Sequence, residues 1–160
     1  MGLAAGVFLA VGSAAGVRFP AEAFLIPIGA FIFAVAIAVD TIGHRTIYKQ
    51  VLKEGEELVH HIIIFAGILS CVLLCAAYLA PGAFVIPALL LTALSFVYSL
   101  FDEALHWRRY LTRTSDRIEM WSHVFILIGH GVMMLAWWRW YLLGYPGVEP
   151  TVQQIAAWIA

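Results

Sequence analysis

Two stretches of an otherwise apolar chain, DTIGH at residues 40–44 and DEALH at residues 102–106, each set an Asp four residues ahead of a His. A second acid–imidazole pair follows each at a fixed distance: Glu57 with His61, and Glu119 with His123. The pattern D-x3-H-x12-E-x3-H therefore occurs twice, at an ungapped offset of 62 residues. Tyr48 and Tyr110, and Gly67 and Gly129, fall in the same register. Four residues along a helix turn about 400°, so each acid and its His share one face, a turn apart. Each of four helices would then offer one carboxylate and one imidazole on a single stripe.

Carboxylate oxygen and imidazole nitrogen are the donors of di-metal sites in four-helix bundles, where acids and histidines project from every helix into the core. With no thiolate near, this donor set suits iron, manganese or zinc, with copper a further candidate. The proposed ligands are Asp40, His44, Glu57, His61, Asp102, His106, Glu119 and His123. The register has an ambiguity. EELVH also puts His60 three residues after Glu57, and EALH puts Glu103 three before His106. The duplication favours His61 and Asp102. His130 lies seven residues after His123 on nearly the same face, and Ser95 and Ser99 extend the stripe of Asp102 and His106. The acids either bridge a close pair of ions, the arrangement the linkers favour, or the Asp–His and Glu–His pairs form two separate sites.

The elements that must carry these residues follow from composition. The chain has 160 residues, 63% hydrophobic and 12% charged, against about half and a quarter in a soluble domain. This is an all-α, multi-pass integral membrane protein in a single domain, 1–160. Four segments reach the length of about 20 residues that a helical span needs: 24–41, 58–79, 84–105 and 120–143. They form an up-down four-helix bundle made of a duplicated hairpin, 24–80 and 84–143. Residues 2–17 are apolar and rich in Gly and Ala, forming a retained helix and a candidate fifth span. Residues 151–160 follow a GYPGVEP turn and read as a short interfacial helix.

APGA at 80–83 is a tight turn, and the two longer linkers beside it carry charge. Gly55 and the TSD at 114–116 read as caps that start the second and fourth spans. Arg45, Lys49, Lys53, Arg108, Arg109, Arg113 and Arg117 are seven of the nine basic residues, all at one end of the spans. The positive-inside rule puts that end, and the acid–His pairs, at the cytoplasmic interface. Trp137, Trp138, Trp140 and Tyr141 read as an outer aromatic belt, Trp107 and Trp121 as an inner one. A net charge of −1 without a basic run excludes nucleic acid as a partner. Cys71 and Cys75, four apart in an apolar run, are packing residues.

Blander readings exist for parts of the pattern. Glu57 and Glu119 sit where a helix dipole favours an acid. Asp40 and Asp102 sit at the opposite ends, where the dipole has the wrong sign, and Arg45, Arg108 or Arg109 could pair with them. A haem or chlorophyll-type pigment needs facing axial histidines and not paired carboxylates; His130 is the best lone axial candidate. A proton path, metal transport, and a non-catalytic subunit of a larger complex or homo-oligomer complete the alternatives. The D-x3-H-x12 spacing resembles the metal motif of the membrane C subunit of particulate methane and ammonia monooxygenases. That family has a third His thirteen positions after the first and holds copper or zinc. This chain has Glu57 and Glu119 there, an exchange that speaks against copper. The resemblance implies a metal joining two helix ends across an interfacial linker. The expectation is a two-ion, carboxylate-rich centre, with iron first, in an oxidoreductase acting on a lipophilic substrate that arrives through the bilayer. With zinc instead, hydrolysis is the expected chemistry.

Overall fold

The computed structural model describes residues 2–43, 54–112 and 117–160, with the side chains of 54–57 outside that description. Six helices follow in order: α1 (Gly2–Ala14), α2 (Ala21–Gly43), α3 (Glu54–Ala77), α4 (Pro81–Leu111), α5 (Arg117–Leu142) and α6 (Val148–Ile159). No strand occurs among the described residues. α2, α4 and α5, and the Leu58–Ala77 part of α3, are long and apolar enough to cross a membrane. At about 1.5 Å per residue each covers a hydrocarbon layer of about 30 Å.

α1 is different. Its 13 residues reach only about 20 Å, short of the length that the candidate fifth span would need. It packs instead on α2 and α6. Two boundaries also move. α3 begins at Glu54, which puts Gly55 inside the first turn rather than at a cap. α4 runs on to Leu111, because nothing in DEALHWRRYL breaks a helix and His106 still has partners to face. The TSD stretch lies outside the described residues.

The packing follows from where the chain is small. Gly29 of α2 meets the backbone of Met133 and Gly129, and Gly129 of α5 meets the backbone of Phe33, so the two helices cross almost backbone to backbone. Gly29 opposes 129–133 and Asp40 opposes His123, so the pair is antiparallel. α3 and α4, joined by the APGA turn that starts α4 on Pro81, form the second intimate pair. α5 also packs along α4, and among the described residues α2 and α3 do not pack against each other. Ile26, Cys71, Leu74, Ala88, Met133 and Met134 fill the interior away from the acid–His end. Phe31, Phe65, Ile86 and Phe101 point outward, the inverse of a water-soluble surface and the arrangement lipid requires.

The expected outer aromatic belt is partly an internal lock. Trp137 and Trp140 are buried; Trp137 donates to the Tyr145 hydroxyl (3.2 Å) and Trp140 to the Pro146 carbonyl (3.1 Å). Tyr145 in turn donates to the Leu74 carbonyl at 2.9 Å. An indole with an internal acceptor is more stable buried than at a headgroup. Tyr145 pays for this with a φ of 51°, in the left-handed region.

Candidate metal centre

Along α4 the residues Thr92, Ser95, Ser99, Asp102 and His106 recur every three or four positions and are all buried. This polar stripe faces inward because the rest of the helix is apolar and can face lipid. α5 presents Glu119, Ser122, His123 and His130 from its own buried side. α3 contributes His60 and α2 contributes Asp40.

The stripes converge. His60 Nε2 lies 3.1 Å from both carboxylate oxygens of Asp102. His106 Nε2 lies 3.6 Å from Asp102 Oδ1, and His123 Nδ1 3.4 Å from Asp102 Oδ2. One carboxylate therefore touches three imidazoles from three helices. On one flank His123 Nε2 is 3.3 Å from Asp40 Oδ1, which also accepts from the Ser122 hydroxyl at 3.2 Å. Glu103 Oε1 stands 3.9 Å from His123 Nδ1. On the other flank His106 Nδ1 is 3.0 Å from Glu119 Oε1. The Arg109 guanidinium approaches the same carboxylate oxygen at 3.4 Å and the His106 ring at 2.8 Å.

His60, Asp102, His106 and His123 could hold a metal ion: one ligand atom from each can be chosen so that all lie within 4.8 Å of one another. Around an ion with bonds of about 2.0–2.1 Å, neighbouring donors stand roughly 3.3 Å apart in a tetrahedron and opposed donors roughly 4.2 Å apart in an octahedron. Two further observations suit an ion. His106 and His123 are each only 1% exposed. Among the described residues the ring nitrogens of His123 make no hydrogen bond, although carboxylates surround them. The His106 and His123 rings also stack at 3.2 Å between centroids, closer than the 4.5–7 Å of ordinary aromatic pairs.

The eight expected ligands fare differently. Asp40, Asp102, His106, Glu119 and His123 come together. His44 and the side chain of Glu57 lie outside the described residues, as does Tyr48. His61 is exposed on α3 while His60 faces the cluster. The reason is the helix itself. His60 shares a face with Ile63, Gly67, Ser70, Cys71 and Leu74, which is the packed side. His61 shares its face with Phe65, Ile68 and Val72, all outward. Asp102 and Glu103 both point inward, Asp102 to the centre and Glu103 to the edge. His130 is buried one level deeper, between the Ser95 hydroxyl at Nε2 (3.3 Å) and the Ser99 hydroxyl at Nδ1 (3.4 Å), with Phe96 stacked on it. Tyr110 is half-buried and meets Trp107 edge-on, away from these contacts. Ser122 was not marked out by the pattern. Arg109 was, but only as a countercharge for the aspartates; its position seven after Asp102 and three after His106 puts it on the same face.

A cavity of about 130 Å³ opens beside the cluster, with His60, Asp102, His123 and Asp40 among its lining residues. Comparison with family models, with curated proteins and with solved structures finds no match for this chain. Its chemistry must therefore be read from the site alone.

Proposed function

We propose that the protein is a membrane-embedded metalloprotein with a non-haem, carboxylate- and histidine-bound centre, iron or manganese in a two-ion form, serving an oxidoreductase that acts on a lipophilic substrate. The observation that carries the reading is the convergence of His60, Asp102, His106 and His123 inside a set of apolar helices. The donor set supports it. Asp40, Asp102, Glu103 and Glu119 gather four carboxylates around the imidazoles, and carboxylate oxygens are donors that suit such an ion. Asp102 supports two ions, because its two oxygens face different imidazoles, His106 and His123. Arg109 favours a second reading with one ion, since its guanidinium already stands on the His106–Glu119 flank. The 130 Å³ cavity supports a bare ion over haem, being smaller than the roughly 300–1,000 Å³ pockets of drug-sized ligands. When bound, iron or manganese in such a donor set supplies one-electron chemistry, and the protein supplies orientation, burial and countercharge.

The duplication belongs to the same reading. An exchange of α2 with α4 and α3 with α5 turns the α2–α5 pair into the α4–α3 pair, which are the two intimate pairs of the fold. Each pair joins an Asp on one helix to a His on the other, Asp40 to His123 and Asp102 to His60, the latter one residue off the His61 that the repeat aligns with His123. The basic linkers at this end support a cytoplasmic-side location.

Elemental analysis of protein purified in mild detergent is the test, alongside a His106→Ala/His123→Ala variant. Close to two iron or manganese atoms per chain, lost in the variant, is expected; close to one selects the single-ion reading. A folded wild-type protein that takes up no metal even after anaerobic reconstitution with ferrous iron or manganese overturns the proposal.

A further inference from the structure

The four spans pair as α2 with α5 and α3 with α4, and among the described residues α2 and α3 do not pack against each other. Yet both line the cavity at the cluster, so the gap between them is its side wall. The cavity has two characters. Its floor is His60, Asp102 and His123, and its walls are Phe33 and Ile37 from α2, Ile63 and Ile64 from α3, and Ile126 and Leu127 from α5. At the rim Ile64 is 43% exposed, on a face where Phe65 and Ile68 also point outward. Asp40 to Phe33 covers about 10 Å of helix rise, so the cavity runs from the charged end of the bundle into the depth of the span.

Resting on the metal reading above, we infer that the α2–α3 cleft is the substrate site, and that it takes the hydrocarbon chain of a neutral, membrane-dissolved molecule sideways from the bilayer. Apolar walls at bilayer depth favour methylene groups over water, by about 25 cal/mol per Å² of apolar surface buried. The 130 Å³ volume has room for one end of a chain rather than for a whole molecule or a headgroup. Asp40 and Glu103 beside the floor disfavour an anionic terminus, so a long-chain alcohol, aldehyde or hydrocarbon fits better than a fatty acid. The wall toward the α2–α3 gap is isoleucine and phenylalanine, whereas Asp40 and Thr41 mark the charged end of the cavity.

The test uses the full chain in phosphatidylcholine vesicles containing a long-chain alcohol with a terminal diazirine. Photolysis followed by peptide mass spectrometry maps the adducts, and bound metal is measured on the same samples. Adducts on Ile63 and Leu127, inside the cavity, are expected in the wild type. They should fall at least tenfold in Ile64→Trp and in Ile37→Trp, each of which fills the cleft. Labelling of outward Phe65 and Phe101 and the metal content should stay unchanged. Two variants on different helices guard against misfolding of either. Labelling confined to outward residues, or cavity labelling that survives both substitutions, overturns the inference. Cavity labelling of the expected pattern in a wild-type protein that holds no metal would uphold the cleft and sink the metal reading alone.

Discussion

The crossing of α2 and α5 is the joint on which one half of the candidate centre hangs, and it can be tested with a single methyl group. A Cβ added at Gly129 would stand 2.5 Å from the Phe33 backbone nitrogen, where ordinary contact begins at 3.4 Å. The obstacle is backbone, so no side-chain rotation relieves it, and the helices must part by about 0.9 Å. Overpacking of this kind costs about 1–3 kcal/mol. At roughly 2–4 °C per kcal/mol for a chain of this size, Gly129→Ala should lower the melting temperature by about 2–12 °C. The same parting stretches the 3.3 Å approach of His123 to Asp40, and metal sites tolerate only about 0.2 Å. Metal affinity, measured by chelator competition, should fall by about 10–100-fold, the usual cost of disturbing outer-shell partners. Gly29→Ala makes the reciprocal clash with the Met133 nitrogen, also at 2.5 Å, so the double variant should cost less than the sum of the singles. Gly82→Ala is the control, because a Cβ there meets nothing within 4 Å. Gly129→Ala melting with Gly82→Ala, metal affinity intact, would refute a backbone-to-backbone crossing of α2 and α5.

Two further outcomes test the site register and the opposite end of the bundle. His60→Ala should lose metal by more than the ~10–100-fold of an outer-shell change, while His61→Ala leaves it bound, because only His60 faces Asp102; equal loss in both, read by elemental analysis, would put the α3 face in error. Burial pushes the Tyr145 hydroxyl above its ordinary range, so it remains a donor to the Leu74 carbonyl well past neutral pH. Tyr145→Phe should then destabilise by about 1–3 kcal/mol in thermal melts, with metal content unchanged, through a lost donor and an orphaned Trp137 indole.

Much of this was legible in the sequence because hydropathy and helical spacing are strong signals. The four spans were placed within a few residues, and Asp40, Asp102, His106, Glu119 and His123 were brought to one place by spacing alone. The choice between His60 and His61 was not, since an internal offset of 62 points to His61. The deciding information was present elsewhere. Gly67, Ser70 and Cys71 lie seven, ten and eleven residues after His60, and small or polar residues mark the packed face of a membrane helix. Phe65, Ile68 and Val72 mark the lipid face on which His61 sits. Which helices would pair, and so which would leave a cleft, depends on the close approach of Gly29 and Gly129, two residues 100 positions apart. Nothing local in the sequence reports it.

The ionisation of the cluster separates a metal centre from a purely protonic one. Four carboxylates within a membrane interior could in principle be neutralised by protonated histidines. His60 faces Asp102, and His106 and His123 face Glu119 and Asp40. The His106 and His123 rings, however, lie 3.2 Å apart. Two positive charges at that separation repel by about 5 kcal/mol even at an effective dielectric constant of 20, and by more in a drier site. Protonating both rings at once is therefore costly. Arg109 stands on the Glu119 flank. On the Asp40–Glu103 flank the ring nitrogens of His123 make no hydrogen bond among the described residues, yet three carboxylates surround them. An imidazole set among carboxylates without a hydrogen bond is poorly satisfied as a donor and well placed as a ligand, because an ion accepts electron pairs from every side at once. On the metal reading proposed above, His123 is accordingly the residue whose loss should empty the site.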